Sequence, residues 1–396
     1  MNYIFENLYY YLYTIIAVVF LVIYAIIKYK YGFWIHQPVY HIYDLSYYFR
    51  SNKIIDNDLP KTNKYVNVQN IITKNTSSDM NEFDWTNFVN FIQKYFLRTE
   101  GNVFNPKLEN VLPFFKNSTN SLISFYTEDV VYKDLDTKGN IQDKNIVGVI
   151  TSRPVYAIIQ NKSISIYYVD YLCVNPANRK RGIASELIQT HHYNQRRLNQ
   201  NIQVSLFKRE HDFNWIVPLT YYDAKVYDMF NYTHEIILHS KYKIIDGNTT
   251  NMIIIMDFIK KYNGLFDVFI YDNYSSFLDE INTHNIYIYA LLNIELNEII
   301  SLYIFKKTCV TIDNSEILTC ISSINNTTTN IFYHAFIKIT KMFISKYPLI
   351  AIENISNNNI LIENIPYKPI LTTPNAYFLY NYIASPVNSN KCLILI

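Results

Sequence analysis

Residues 164–189 read ISIYYVDYLCVNPANRKRGIASELIQ, and this stretch decides the fold. It begins with β-branched and aromatic residues, which favour a strand. The strand is predicted to end at Asn175 and Pro176, because the residue before a proline is disfavoured in the helical region of backbone space. From Ile183 onward the apolar residues follow the spacing of one helix face. The predicted order is therefore strand, loop and helix.

The junction between the loop and the helix has the composition of an anion site. Arg179, Lys180 and Arg181 precede Gly182, at the point where the helix is predicted to begin. Free N–H groups at a helix start bind anions, and the helix dipole adds to the attraction. The chain has only 7 glycines, against an average usage of roughly 7% of residues. A pyrophosphate would suit this loop, but an ordinary basic helix start on a solvated surface has the same pattern.

The composition of the 396-residue chain is that of a globular protein. Its 49% hydrophobic and 16% aromatic content exclude a disordered chain, and the length allows one large or two ordinary domains. The net charge of +2 gives no reason to expect nucleic acid as a partner. We expect the chain to act as a monomer.

The cysteines and histidines do not form a metal-binding pattern. No CxxC pair or Cys/His cluster is present, so we predict reduced, buried thiols. The adjacent His191 and His192 point about 100° apart on a helix, and a second pair of ligands is missing. No metal site is expected. The four cysteines are Cys173, Cys309, Cys320 and Cys392.

Residues 8–27, LYYYLYTIIAVVFLVIYAII, contain no charge and are long enough to cross a bilayer. Tyrosines at both ends suit the membrane interfaces. A cleaved signal peptide is the alternative, but the leading MNYIFEN lacks a positive charge and no small-residue cleavage site follows. Lys28 and Lys30 follow the span and only Glu6 precedes it. The positive-inside rule then predicts a single-pass anchor with the rest of the chain on the cytosolic side.

Two parts of the opening stretch match a family signature. A strand followed by Arg-x-x-Gly-x-Ala and a helix resembles the acyl-CoA-binding motif of the GNAT acyltransferases. More narrowly, VDYLCV at 169–174 and NRKRGIA at 178–184 resemble the "NFLCV … LRSKRVAP" signature of N-myristoyltransferases. Members of this family consist of two fused GNAT-like halves.

Three further segments resemble the same family, in the family's order. YGFWIHQPV at 31–39 resembles "Y-K-F-W-x-T-Q-P-V", a segment that covers part of the CoA and acyl chain in the family. YFLYNY at 377–382 resembles "Y-Y-L-Y-N-W", and KCLILI at 391–396 resembles the apolar C-terminal strand "VGLVLQ". The resemblance covers most of residues 31–396, with gaps around 40–80 and 236–300.

The resemblance implies a mixed α/β fold, with α+β mixed sheets. Two fused GNAT-like halves would form a saddle-shaped mixed sheet flanked by helices, behind an N-terminal transmembrane helix. The expected domains are an anchor at 1–30, an acyl-CoA half at 31–235 and a peptide half at 236–396, whose C-terminus returns to the active site. Helices are predicted at 83–96 and 332–347. Strands are predicted at 145–150, 202–207, 286–292, 299–305, 309–312, 317–321 and 347–352. Residues 154–159 are predicted as a connection or a second strand, and 252–255 is also strand-like.

The implied co-substrate is myristoyl-CoA, and no metal is implied. Gly182 and the cations before it would hold the CoA phosphates, and aromatic rings would stack on the adenine. The residues implied at the acyl-CoA site are Tyr31, Phe33, Trp34, Cys173, Val174, Arg179, Lys180, Arg181, Gly182, Ile183 and Ala184.

The implied reaction is acyl transfer from the thioester to the N-terminal glycine of a protein. An α-amino group has a pKa of about 7.7–8.0, so a base must remove its proton. The resemblance gives this role to the main-chain carboxylate of Ile396. It gives the amides of Tyr171 and Leu172 the role of oxyanion donors, each worth roughly 3–4 kcal/mol in comparable sites. No covalent intermediate is needed, so Cys173 is expected to be structural.

On the side of the acceptor peptide, the resemblance implies Ser205, Tyr222 and Tyr380. Two departures from the family lie on this side. Asp-Ala-Lys at 223–225 stands where the family has Trp-His-Arg, and LTTPN at 371–375 replaces "G-D-G-N". A histidine and an aspartate that contact the peptide are therefore missing. Two alternatives stay open: another GNAT N-acyltransferase that uses acetyl-CoA, and a non-catalytic acyl-CoA-binding or membrane-scaffold protein.

Overall fold

The computed structural model describes residues 2–49, 52–97, 101–133, 140–211, 215–232 and 236–396. The first part of the chain forms α1 (Asn2–Tyr31), β1 (Lys53–Ile54), β2 (Ile71–Asn75), α2 (Glu82–Tyr95), β3 (Asn102–Phe104), α3 (Leu108–Val111), α4 (Pro113–Lys116), β4 (Leu122–Lys133), β5 (Asn140–Ile159), β6 (Lys162–Val174), α5 (Ile183–Leu198), β7 (Val204–Glu210) and β8 (Thr220–Asp228). Short 3₁₀ helices cover Trp34–His36 and Leu45–Phe49.

The second part repeats this mixture of helices and strands. It forms β9 (Tyr242–Asp246), α6 (Met252–Tyr262), β10 (Val268–Tyr271), α7 (Tyr274–Asn282), β11 (Ile286–Asn293), β12 (Glu298–Ile312), β13 (Ser315–Asn325), α8 (Thr329–Phe343), β14 (Leu349–Glu353), α9 (Asn358–Asn364), β15 (Leu371–Tyr380), β16 (Tyr382–Ile383) and β17 (Cys392–Leu395).

One large mixed sheet organises the molecule. Its strand order is β17-β10-β5-β6-β7-β15-β8-β14-β13-β12-β11-β9, with β4 on β5 and β3 on β12. Three of its pairs are parallel, namely β6 with β7, β13 with β14 and β10 with β17. The predicted mixed α/β sheet flanked by helices is confirmed.

The sheet contains the same unit twice. In β4-β5-β6-α5-β7, three antiparallel strands are followed by a helix and a strand parallel to the third. The order β11-β12-β13-α8-β14 repeats this arrangement. The halves also exchange strands, because β8 pairs with β14 and β15 pairs with β7. The domain boundary between residues 235 and 236 stays a prediction.

The central unit β6–α5 forms as its sequence predicts. Its helix packs on β5 at Gly148, where a Cβ atom would lie 2.8 Å from Leu187 Cδ1 and 3.3 Å from the carbonyl oxygen of Cys173. Interiors are too closely packed to absorb such a contact without movement. Gly148 therefore allows the helix to lie close to the strand.

The predicted helix at 83–96 is confirmed as α2. Asn81 caps it by accepting from the Asp84 N–H, and the Asp84 side chain accepts from the Asn81 N–H in return. Its buried face carries Trp85, Phe88 and Ile92.

Two predictions about local structure are wrong. Residues 252–255 begin helix α6 and do not form a strand. Four consecutive apolar residues carry no periodicity, so a buried helix and a strand look alike in sequence. The separate strands predicted at 299–305 and 309–312 are one strand, β12. Residues 154–159, predicted as a connection or a second strand, continue the strand predicted at 145–150 within β5. A register shift between Lys307 and Thr311 interrupts the β12 ladder without ending the strand.

The two ends of the chain lie in opposite environments. In α1, the stretch Tyr9–Ile26 has a mean hydropathy of 2.1, and none of it is buried. It is long and apolar enough to cross a membrane, although a signal sequence would pass the same test. By contrast, β17 lies in the interior, where Ser322 Oγ donates to the carbonyl oxygen of Ile394 at 2.9 Å.

Candidate functional site

The start of α5 is exposed and basic. Gly182 precedes the helix with φ of 83°, in the left-handed region. As a glycine it has no side chain that could cap the helix. A Cβ atom there would contact nothing within 4 Å, so backbone conformation and not crowding favours glycine. Arg179, Lys180 and Arg181 are exposed beside it. The structure thus brings the predicted cations together at a helix start.

Glu128 on β4 contacts this loop, and the sequence did not reveal this contact. Its Oε1 forms an ion pair with Arg181 Nη2 at 2.7 Å, and its Oε2 accepts from Asn178 Nδ2 at 3.3 Å. Arg179 folds back so that its Nε donates to the carbonyl oxygen of Val174 at 3.3 Å. Glu128 therefore orders the loop and offsets part of its positive charge.

On β6, the predicted oxyanion residues form a β-bulge. Val149 pairs with Cys173 and Thr151 with Asp170, so Tyr171 and Leu172 lie opposite Ile150 alone. Tyr171 has φ of 50°, which turns its N–H out of the ladder. That N–H donates to Asp170 Oδ1 at 2.8 Å. One predicted oxyanion donor is therefore already bonded to a carboxylate.

A small cavity lies in front of this bulge. Its volume of about 10 Å³ is room for about one water molecule. Its lining combines aromatic rings with charged groups. The lining residues are Phe114, Phe115, Thr151, Arg153, Tyr168, Asp170, Tyr171 and Lys306.

Buried charges surround the cavity. Arg153 forms an ion pair with Asp272, which follows β10, and both side chains are almost fully buried. Glu280 on α7 is also buried, and burial raises its pKa while Arg153 and Lys306 act in the opposite direction. Burial and then the nearby Arg153 lower the pKa of Lys306, whose Nζ lies 4.8 Å from the centre of the Phe114 ring. Buried charges persist where they are paired, and within this cluster the ion pair is that of Arg153 with Asp272.

Ile396 directly follows β17. Leu395 pairs with Tyr271 at the end of the parallel ladder, and Ile396 and Asp272 are the next residues of the two chain segments. Ile396 is 5% exposed and shares a hydrophobic cluster with Tyr168, which lines the cavity. The predicted base therefore lies in the hydrophobic cluster that includes Tyr168, one of the residues that line the cavity at the bulge.

Tyr222 belongs to that hydrophobic cluster too. Its ring stacks on Tyr377 at 5.8 Å, and Lys208 Nζ lies 5.8 Å from its centre. Lys208 in turn bonds to Glu353 Oε1 at 2.7 Å. Burial raises the pKa of Tyr222 well above its ordinary value, so it stays a neutral phenol.

Ser205 and Tyr380 lie on the opposite face of the sheet from Tyr222, where they pair in register. Ser205 Oγ donates to Gln195 Oε1 at 3.4 Å, and Tyr380 OH donates to Gln37 Oε1 at 2.6 Å. They join the sheet to α5 and to residues 31–39. The structure does not bring them together with Tyr222 and Ile396.

The segment 31–39 docks beside α5. Trp34 stacks on Phe207 at 5.9 Å, and Phe33 meets Tyr65 edge to face at 5.1 Å. The carbonyl oxygen of Tyr65 accepts from Thr190 Oγ1 of α5 at 3.4 Å. The aromatic residues predicted to cover the acyl-CoA are thus linked to the helix that carries the anion site. The side chain of Tyr31 lies outside the described residues.

The remaining predicted acyl-CoA residues support the loop from within. Burial raises the pKa of Cys173 to about 12, so its thiol is no nucleophile near neutral pH. Val174 and Ile183 pack in one hydrophobic cluster, and Ala184 is exposed. All four cysteines are buried and free, as predicted.

His191 is part of the packing of α5. Its Nδ1 bonds with Ser124 Oγ at 2.7 Å and its Nε2 with Ser152 Oγ at 2.8 Å. Burial lowers its pKa to about 3, so the ring is neutral. Among the described residues, no group of three or more His, Cys, Asp or Glu side chains could hold a metal ion.

The fold is similar to that of Saccharomyces cerevisiae N-myristoyltransferase. A structure with bound myristoyl-CoA has a TM-score of 0.67 at 14% identity, covering 90% of this chain and 89% of that chain. Another, with bound myristoyl-CoA and inhibitors, has a TM-score of 0.69 at 13% identity, covering 90% and 91%. No protein-family model and no curated protein matches the chain. The chain thus has the fold of N-myristoyltransferases, as the resemblance implied.

Proposed function

We propose that the chain is a membrane-tethered N-acyltransferase of the N-myristoyltransferase type. It would move a long-chain acyl group from myristoyl-CoA to the N-terminal glycine of proteins. The observation that supports this most is the β6–α5 unit, which carries an exposed anion site at the helix start and a β-bulge on the strand. Ile396 lies in the hydrophobic cluster that reaches the cavity of that bulge.

The acyl-CoA would contact both the start of α5 and the aromatic residues that dock beside this helix. The N–H groups at the start of α5, with Arg179 and Lys180, would hold the CoA phosphates. Phe33 and Trp34 would cover the nucleotide or the thioester arm, since they dock beside the same helix. Arg181 would contribute less charge, because Glu128 already pairs with it.

The reaction would proceed by direct transfer. The amine nitrogen attacks the thioester carbonyl, the C–N bond forms, and the C–S bond breaks with CoA leaving as a thiolate that takes up a proton. The main-chain carboxylate of Ile396 would remove the amine proton. The N–H groups of Leu172 and Tyr171 would stabilise the oxyanion, the latter once it is released by Asp170.

The membrane part of the proposal is supported by α1. Its apolar stretch is unburied, and Lys28 and Lys30 follow it. Placement of α1 across a bilayer would leave the folded region on the cytosolic side.

A non-catalytic acyl-CoA-binding protein is the second candidate. Two observations favour it. The Tyr171 N–H is bonded to Asp170, and the cavity in front of it has a volume of about 10 Å³. In this case the anion site would keep its function while the transfer chemistry is lost.

The test uses the full chain in vesicles with labelled myristoyl-CoA and peptides that begin with Gly or Ala. Transfer to the Gly peptide alone supports the proposal, and extension of the chain by one glycine after Ile396 should abolish it by displacing the carboxylate. Tight binding without transfer supports the second candidate. Preference for acetyl-CoA would identify a different GNAT reaction and overturn the proposal.

A further inference from the structure

Close to the end of α1, the folded region exposes a group of large apolar and aromatic side chains, here called the aromatic patch. Phe49 is 89% exposed and Leu45 75% exposed. Monomeric soluble proteins rarely leave such side chains clustered in water. The aromatic patch comprises Ile42, Tyr43, Leu45, Tyr48, Phe49 and Trp215.

The aromatic patch is one continuous surface although it comes from two parts of the sequence. The Ile42 N–H donates to the carbonyl oxygen of Trp215 at 2.8 Å, so the two residues are neighbours. Leu45 and Tyr48 are three residues apart in the 3₁₀ helix Leu45–Phe49, and residues at that spacing project to the same side.

The aromatic patch is also held firmly on the sheet. The isolated bridge between His41 and Ile216 anchors its first residues. Tyr47 OH donates to the carbonyl oxygen of Ala384 at 2.7 Å, and the Tyr47 ring lies 5.4 Å from that of Tyr48. These contacts fix apolar side chains in an exposed position, so their exposure is a property of the folded state.

The connection from α1 to the folded region is short. Only Gly32 and Phe33 separate the end of α1 from the 3₁₀ helix Trp34–His36. The next residue, Gln37, is buried and bonded to Tyr380. The apolar helix therefore ends eleven residues before Ile42, the first residue of the aromatic patch, and the chain between them is anchored at Gln37.

We propose that the aromatic patch is seated in the interfacial layer of the phospholipid bilayer that α1 crosses. This rests on the membrane placement proposed above for α1. Tyr and Trp favour the headgroup layer, and Leu and Phe enter the acyl boundary below it. The folded region then lies against the membrane in one orientation, held by α1 and by the aromatic patch together.

This seating brings the anion site and its aromatic cover close to the membrane surface. Trp34, which follows α1 directly, stacks on Phe207 of β7. An acyl-CoA has an apolar chain that partitions into bilayers. The membrane would thus serve as the source from which the site takes its acyl donor.

The experiment measures depth in the bilayer with a dye on the full chain. Phe49→Cys is labelled with a fluorophore that brightens in apolar surroundings, and the chain is placed in phosphatidylcholine vesicles with or without brominated acyl chains. The native thiols are buried with raised pKa values, so they react slowly. Leu296→Cys is the matched control, since Leu296 is exposed in the turn between β11 and β12 of the other half.

The brominated lipid should quench roughly half of the emission at position 49, because an interfacial segment reaches about 5–10 Å into the boundary. The dye at 296 should stay unquenched, and Leu45→Asp should reduce the quenching at 49. Integration of α1 is measured separately by resistance to alkaline extraction. An integrated chain with an unquenched dye at 49 overturns the proposal but leaves the anchor intact. Shielding at 49 that depends on protein concentration and not on brominated lipid would also overturn it, in favour of a second copy.

Discussion

The two repeats of the sheet differ at the start of their helices. In β6–α5–β7, the helix follows Gly182 in the left-handed region and a run of cations. In β13–α8–β14, the helix follows Asn-Asn-Thr-Thr at 325–328, without glycine or charge. The same arrangement of strands and helix therefore carries the proposed anion site in the first repeat and an uncharged helix start in the second. The difference lies in a handful of loop residues and not in the architecture.

The two repeats also differ in what lies next to the bulge of their third strand. β6 bulges at Tyr171, with a cavity in front. β13 also gains one residue against β12, at Ile321, but the next residue, Ser322, binds the chain's own strand β17. One repeat has a cavity in front of its bulge, and in the other the corresponding position contacts β17.

The largest effect is expected from Gly182→Asp. The substitution adds a carboxylate where the phosphates would bind and a side chain where φ disfavours one. Acyl-CoA affinity should fall by roughly 100-fold, since a charge-assisted hydrogen bond is worth about 1.5–3 kcal/mol. Titration calorimetry with myristoyl-CoA measures it.

Thr328→Asp is the matched control in the other repeat, because Thr328 precedes α8 as Gly182 precedes α5. Aspartate is favoured at a helix N-cap, so folding and affinity should both persist. Equal losses in the two variants would contradict the assignment of the anion site to the first repeat.

Mild acid should loosen α5 before α8. The ninth residue of α5 is His191, with a pKa lowered to about 3, and that of α8 is the buried Ile337. A histidine held neutral by burial contributes stability above its ordinary pKa, and this is lost as pH falls through 6.5 toward 3. At pH 5 the loss is about 2 kcal/mol, from 1.36 kcal/mol per unit. Hydrogen exchange of the two helices, at pH 7 and pH 5, tests this.

The neighbouring His192 has a similarly lowered pKa and should add a comparable loss. His191→Asn should therefore remove about half of the acid sensitivity of α5. Acid loosening of α8 to the same extent would show that the effect is global and does not arise from the first repeat.

The smallest effect is expected from Asp170→Asn. The side-chain oxygen of asparagine still accepts from the Tyr171 N–H but carries no negative charge against the oxyanion. The rate of transfer should rise several-fold at unchanged acyl-CoA affinity. One oxyanion donor is worth up to roughly 3–4 kcal/mol, and the variant regains only part of this stabilisation because asparagine still accepts from the Tyr171 N–H. Single-turnover rates with labelled myristoyl-CoA measure it. A fall in rate would show that the Asp170 carboxylate itself is needed.

The sequence revealed the parts of the site that are local in the chain. Residues 169–184 supply the bulge, the loop cations and Gly182 together, so one stretch contains them all. The charged cluster escaped prediction because its members come from β5, α7, β12 and the residue after β10. Only the folded sheet brings these positions together.

The face of a strand is harder to predict from sequence than the strand itself. The role of Ser205 and Tyr380 at the acceptor peptide stays a prediction. In the structure their side chains bond to Gln195 of α5 and to Gln37. Side chains alternate along a strand, so a shift of one residue reverses the face.

The exchange of strands between the repeats has a consequence for synthesis on the ribosome. On its outer side β7 pairs with β15. The end of β5 pairs with β10, which in turn pairs with β17. These partners emerge more than 100 residues later. Until then the first repeat presents unpaired strand edges, which are prone to aggregate. The first repeat, although made first, completes its part of the sheet only when residues 392–395 have emerged.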